Sequence, residues 1–163
     1  ASDIYGFGNA INYLLEKGVD LNQTADHGSL ILGAAVAGGS LKVVQLILKK
    51  NSEVSMLTPF NIAVLEKRLD IVAAFLSTGK ITVDILPEKG NQLLINLCYN
   101  HPLKSDAMVQ VLVGLGVDVN SKDSYGNTAL DIAYKENNHE LVETLLKLGA
   151  SPRGGLGVSP EWR

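Results

Sequence analysis

The ends of five stretches of this 163-residue chain follow one plan, and that repetition limits the fold more than any single motif. "LLEKGVDLN" (14–22), "LVGLGVDVN" (112–120) and "LLKLGASPR" (145–153) each run from two apolar residues through filler to Gly and then a small or apolar residue. "LILKKNSEVS" (46–55) fits with Asn51 in the Gly slot, and "AFLSTGKITVD" (74–84) fits with Gly79 and one extra residue. The beginnings align too. "DSYGNTALDIA" (123–133) lies over "ADHGSLILGAA" (25–35), "MLTPFNIA" (56–63) and, more loosely, "KGNQLLINL" (89–97). Between them, "LKVVQLIL", "LDIVAAFL", "DAMVQVLV" and "HELVETLL" each put apolar residues on one helical face.

The slots have physical reasons. Gly18, Gly79, Gly116 and Gly149 each follow an apolar helix, where a left-handed C-terminal residue suits Gly. Ala35, Ala63 and Ala133 are small residues that let neighbouring helix pairs approach, and Leu97 in the same slot predicts different packing in that copy. Thr58 and Thr128 precede short helices and are expected to cap them, with Pro59 in a first turn that tolerates it. One helix pair cannot bury its apolar face alone, so the pairs must stack.

With Asp123-x-x-Gly126-x-Thr128-Ala129-Leu130-x-x-Ala133, Leu141-Val142, Leu145-Leu146 and Gly149-Ala150 in register with four weaker copies, the chain resembles the ankyrin repeat family. Only Thr58-Pro59 keeps the Thr-Pro of the family pattern, and no copy keeps its His. The resemblance implies an all-α ankyrin-repeat solenoid of stacked antiparallel helix pairs joined by short β-hairpin-type fingers. It assigns repeats to about 1–22, 25–55, 56–86, 87–120 and 123–152, leaving residues 153–163 as a tail in which Trp162 is either frayed or a cap.

The spacings are uneven. Gly28 to Met56 is 28 residues against a usual unit of about 33, so that repeat lacks most of its finger. Met56 to Gly90 is 34 and Gly90 to Gly126 is 36, which predicts a longer loop near Pro102.

Catalytic candidates are thin. Cys98 is the single cysteine, which excludes an internal disulfide and a multi-cysteine zinc site. Cys98-x-x-His101 supplies two groups one helical turn apart, and a buried, inert thiol is the plainer reading. His139 reads as a surface or capping residue, and Glu136, Glu140 and Glu143 as a solvated face. Gly38-Gly39-Ser40 lacks the phosphate-loop pattern and reads as a turn between helices. The reading expects no enzyme, no cofactor and no metal. The stretch 29–48 is apolar, but its polar and Gly interruptions suit two helices and not a membrane span. A net charge of −3 gives no reason to expect nucleic acid as a partner.

The resemblance implies binding of another protein on a concave face built from finger tips and the exposed ends of the first helices. Carried over slot by slot, that face is Tyr5, His27, Leu57, Leu65, Lys89, Asn91, Tyr99, Asn100, Tyr125, Asn127 and Lys135. His27 falls at a finger tip, and Leu57 and Leu65 are exposed apolar residues beside the shortened finger. Asn22 and Asn120 occupy a slot in which eukaryotic members of the family can be hydroxylated; ordering of the turn is the plainer role. The expectation is a monomeric, non-catalytic interaction module in the cytoplasm, without membrane insertion. A cleaved leader, secretion, or a targeting role within a larger protein stay open as alternatives.

Overall fold

The computed structural model describes residues 10, 13–14, 16–18, 25–50, 54–100 and 105–152, with the side chains of 25–28, 87, 89 and 100 outside that description. Eight helices of seven residues or more lie in these segments. They are α1 (Ala25–Ala37), α2 (Leu41–Lys50), α3 (Leu57–Leu65), α4 (Leu69–Leu76), α5 (Asn91–Asn100), α6 (Asp106–Gly114), α7 (Ala129–Lys135) and α8 (His139–Lys147). The chain divides into two compact units, Ala1–Leu86 and Pro87–Arg163.

Unit 1 holds two helix pairs, α1/α2 and α3/α4. Within it α1 packs on α3 and α2 on α4, so first helices stack on first and second on second. The apolar faces meet in a core that includes Leu32, Val44, Ile47, Phe60, Ile71 and Phe75, all fully buried. Phe60 and Phe75 join the two helices of one pair edge to face, with ring centroids 6.0 Å apart. Unit 2 repeats the scheme. There α5 packs on α7, α6 on α8, and each pair closes on itself. Leu94, Leu97, Met108, Leu112, Leu130 and Leu145 are buried in its core. Leu97 takes the slot that Ala35, Ala63 and Ala133 occupy, and all four are 0% exposed. The larger side chain is therefore absorbed by the core of unit 2 and not turned out to solvent.

Gly18, Gly79, Gly116 and Gly149 all have positive φ, between 67° and 101°, at the ends of their helices. Thr128 caps α7 as expected. Its hydroxyl accepts from the Asp131 N–H at 3.2 Å, and the Asp131 carboxylate accepts from the Thr128 N–H at 2.8 Å. Thr58 does not cap. Its helix starts at Leu57, two residues before Pro59, so Thr58 lies inside the first turn and Met56 precedes the helix without a side-chain cap bond.

The expected finger pairing is reduced, among the described residues, to one antiparallel bridge, Lys122 to Thr128. The stretch ahead of α5 is instead two short 3-10 turns, Val83–Ile85 and Pro87–Gly90. Residues 25–28 form the first turn of α1, so His27 stands in a helix and not at a finger tip. Tyr5, Asn22, Asn51, His101, Pro102 and Trp162 lie outside the described residues.

Candidate functional site

The segment from Lys122 to Thr128 folds as a finger because Asp123 can satisfy its backbone from within. The Asp123 N–H donates to the Asn127 carbonyl at 2.9 Å, and the Gly126 N–H donates back to the Asp123 carbonyl at 2.9 Å. One carboxylate oxygen of Asp123 accepts from the N–H groups of Tyr125 at 2.9 Å and Asn127 at 2.8 Å. This is the side-chain-to-backbone turn that Asp forms readily. Gly126 takes φ +79°, a conformation that a side chain would strain.

The other carboxylate oxygen ties the finger to α5. It accepts from the Tyr99 hydroxyl at 2.9 Å and from the Asn127 side-chain amide at 3.2 Å. That amide also reaches the Tyr99 oxygen at 3.2 Å. Lys135, the last residue of α7, donates to the Asn127 side-chain oxygen at 2.8 Å. Four sequence-predicted residues of unit 2 thus come together: Tyr99, Asn127 and Lys135 in one network, with Tyr125 on the turn that the network braces. Tyr125 is 86% exposed and Tyr99 is 43% exposed.

The electrostatics match the geometry. The hydrogen bond to Asp123 raises the Tyr99 hydroxyl above its usual range, with partial desolvation and the Asp123 charge adding to it. For Asp123, partial desolvation works upward, but the donors from Asn127, Tyr99 and Tyr125 together hold the carboxyl below its ordinary range. Asp123 therefore carries four donors, which fills the lone-pair positions of a carboxylate. It orients its neighbours and has no position left to act as a base.

The remaining predicted residues are scattered or differ from expectation. Leu57 and Leu65, at the two ends of α3 in unit 1, are half-buried and not fully exposed. Asn91 opens α5 half-buried, with its side-chain oxygen enclosed and without a partner. Lys89 belongs to the Pro87–Gly90 turn and Asn100 ends α5. Asn120 accepts from the Ser151 N–H at 2.7 Å and donates to the Gly149 carbonyl at 3.3 Å, so it stitches the loop after α6 to the end of α8.

Cys98 is fully buried on α5, and burial, with the Asp106 charge adding, pushes its thiol up to about 12. Such a thiol is not a nucleophile near neutral pH. Among the described residues no three His, Cys, Asp or Glu side chains group as a metal site, and no helix is long and apolar enough to cross a membrane.

Two structural residues escaped the sequence reading. Asp123 was visible as the first residue of the best-preserved motif, and its Asp-x-x-Gly spacing is the signal of a side-chain-braced turn. Arg68 donates to the Gly39 carbonyl at 2.8 Å and pairs with Asp70 at 3.1 Å, which joins the turns of the two pairs in unit 1. No periodic pattern points to it.

Comparison with known proteins fits this architecture. The family described as ankyrin repeats (3 copies) matches residues 1–86 and 60–153. An L-asparaginase of Dirofilaria immitis is 29% identical over 85% of this chain and 24% of its own length. Alpha-latrotoxin-Lg1a of Latrodectus geometricus is 26% identical over 80% of this chain and 10% of its own length. An ankyrin repeat protein of Fowlpox virus is 29% identical over 85% of this chain and 24% of its own length. The chain therefore spans about a quarter or less of each of these relatives.

Proposed function

The chain belongs to the ankyrin repeat family, whose repeats are generally protein–protein interaction modules, and we propose that it is a non-catalytic module whose partner docks on the finger face of unit 2. The observation that carries this reading is Tyr125. Its ring is 86% exposed on a turn whose backbone is held by Asp123. A rigid exposed Tyr offers contact area with little ordering cost, which is the usual character of an interface hot spot. Lys135 lies in the same network and supplies a cationic rim. The buried, protonated Cys98 supports the non-catalytic half of the reading.

The test is affinity capture from a native lysate with the parent chain, Tyr125→Ala and Lys135→Glu. Glu143→Ala on α8 serves as a control, with circular dichroism to verify folding. Tyr99→Ala is unsuitable, because it would remove the brace on Asp123 along with a contact surface. A partner held by the parent and the control, and weakened at least tenfold by Tyr125→Ala, meets the hot-spot expectation. Equal retention by all four proteins sinks the assignment to this face.

A second reading is that the repeats target a larger protein whose activity lies elsewhere. The small share of each relative that the chain spans favours it. The full-length transcript decides between the two, since a further domain of recognisable chemistry would move the activity out of the repeats.

A further inference from the structure

We propose that the partner meets the finger face of unit 2 with an acidic side chain set beside an apolar one, the carboxylate on Lys135 and the apolar group on Tyr125. This deepens the docking reading above and rests on it. What decides the chemistry is which groups the face leaves unused. Asp123 is the carboxylate of the network, and its four donors all come from this chain. It has nothing left to offer a basic partner. The Tyr99 hydroxyl donates to Asp123 and accepts from Asn127, and the side-chain N–H groups of Asn127 are spent on these same two residues.

Lys135 is different. It is exposed, and its ammonium donates to the Asn127 oxygen at 2.8 Å, which uses one of three N–H groups. That acceptor is a neutral amide, so the charge is oriented without being neutralised. The exposed Lys122, at the base of the same finger, adds a second cation. Ion pairs join Arg68 to Asp70 and Lys147 to Glu143, but among the described residues neither Lys122 nor Lys135 has one, and the exposed Glu136 beside Lys135 has none. An incoming carboxylate therefore finds donors already aimed and no unspent carboxylate in the network to repel it. The bond to Asn127 also holds the head of a side chain that would otherwise lose rotamer freedom on binding. Tyr125 supplies the apolar half, and it lies close enough to Tyr99 to help raise that hydroxyl, which puts both phenols on one side of the finger. A carboxylate suits this cation better than a phosphate, because Lys135 is a point charge and the described residues of unit 2 hold no arginine fork.

The test is selection of random short peptides displayed on phage against the full chain, with counter-selection on Tyr125→Ala. The expected winners bind the parent, are lost on Tyr125→Ala, and share an Asp or Glu beside an aliphatic or aromatic residue. Fluorescence anisotropy then compares each winner with the form in which that acid is replaced by its amide. At low salt the amide form should bind at least ~5-fold more weakly, and the difference should shrink as salt is added. Lys135→Gln, checked by circular dichroism, should bind acid and amide forms alike, and Lys135→Arg should restore the preference. A basic or uncharged consensus that still needs Tyr125 would overturn this proposal and leave the docking face standing. An acid preference kept in Lys135→Gln and lost in Lys122→Gln would overturn the assignment to Lys135. Winners indifferent to Tyr125→Ala, or none at all, would also overturn it, while capture from lysate still tests the face by itself.

Discussion

Cys98 sits fully buried on α5 with its thiol pushed up to about 12, and this has a consequence for stability as well as reactivity. The unfolded chain ionises this thiol near its ordinary value of 9.0, whereas the folded chain keeps it protonated to about 12. The stability tied to the protonated thiol is therefore fully present below pH 9 and is lost as pH rises from there toward 12, by about 1.4 kcal/mol per pH unit. Urea unfolding of the parent and Cys98→Ala at several pH values checks this: the difference between them should shrink across that window. A parallel pair of curves would mean that the thiol is reached by water. Asp123 gives the opposite sign. Its carboxyl lies below the ordinary range, so the order it gives the finger is present above about pH 4 and fades as acid protonates it. Protection of the Tyr125 and Asn127 amides, taken relative to their intrinsic exchange rate at each pH, should fall as Asp123 protonates below that pH and be low at neutral pH in Asp123→Ala. At this scale the sequence was readable where a slot demands one chemistry. Positive φ demanded Gly at 79, 116 and 149, and a cap demanded Thr at 128. It was unreadable where a side chain reaches across the fold, as Tyr99 does to Asp123 over 24 positions.

The turns between paired helices are the elements that recur most faithfully. Ser40, Arg68 and Asn138 each donate their N–H to a carbonyl five residues back, on Ala35, Ala63 and Ala133. The residue just before each donor, Gly39, Lys67 or Asn137, has positive φ between 52° and 70°. This is the closure by which helices commonly end, and Gly accepts it without strain. In unit 1 the turn has a second constraint. A Cβ on Gly39 would collide with the guanidinium of Arg68, which is itself bonded to the Gly39 carbonyl. Gly149 has a similar φ of 93° but a Cβ there meets nothing within 4 Å. Gly149→Ala should therefore cost only the backbone strain of about 1–2 kcal/mol. Gly39→Ala should cost more, and the excess should vanish in an Arg68→Ala background, as measured by denaturant midpoints in a double-mutant cycle. Equal costs at the two glycines would mean that Arg68 is not held over the turn. The sequence placed this element correctly through Gly38-Gly39-Ser40. It missed the start of α3, because Met56 in a Gly slot lets the helix begin at Leu57 and strands Thr58 inside it. It also predicted fingers where the chain forms 3-10 turns, since local turn chemistry outweighs the repeat pattern.

At the scale of the molecule, the apolar periodicity that named the helices also fixes how stability is distributed. Within each unit, every helix packs on its own partner and on the like helix of the other pair, so each unit is built from near-neighbour interfaces. The division between Leu86 and Pro87 falls between the two short 3-10 turns that stand ahead of α5. Phe75 in unit 1 and Leu112 in unit 2 are both fully exposed only on unfolding, being 0% accessible in the fold. Phe75→Ala removes the edge-to-face partner of Phe60 and leaves a cavity, a change that costs about 3–5 kcal/mol in packed cores. Leu112→Ala should cost about 2–5 kcal/mol on the same grounds. If near-neighbour interfaces govern, each loss stays largely within its unit. Native-state hydrogen exchange should then show Phe75→Ala lowering protection across 25–86 while most protection persists across 105–152, and Leu112→Ala doing the reverse. A uniform fall in both segments for either variant would mean that the chain unfolds as one cooperative body. In that case a core substitution in unit 1 would also weaken the proposed docking face of unit 2, and only changes on that face itself would act on it alone.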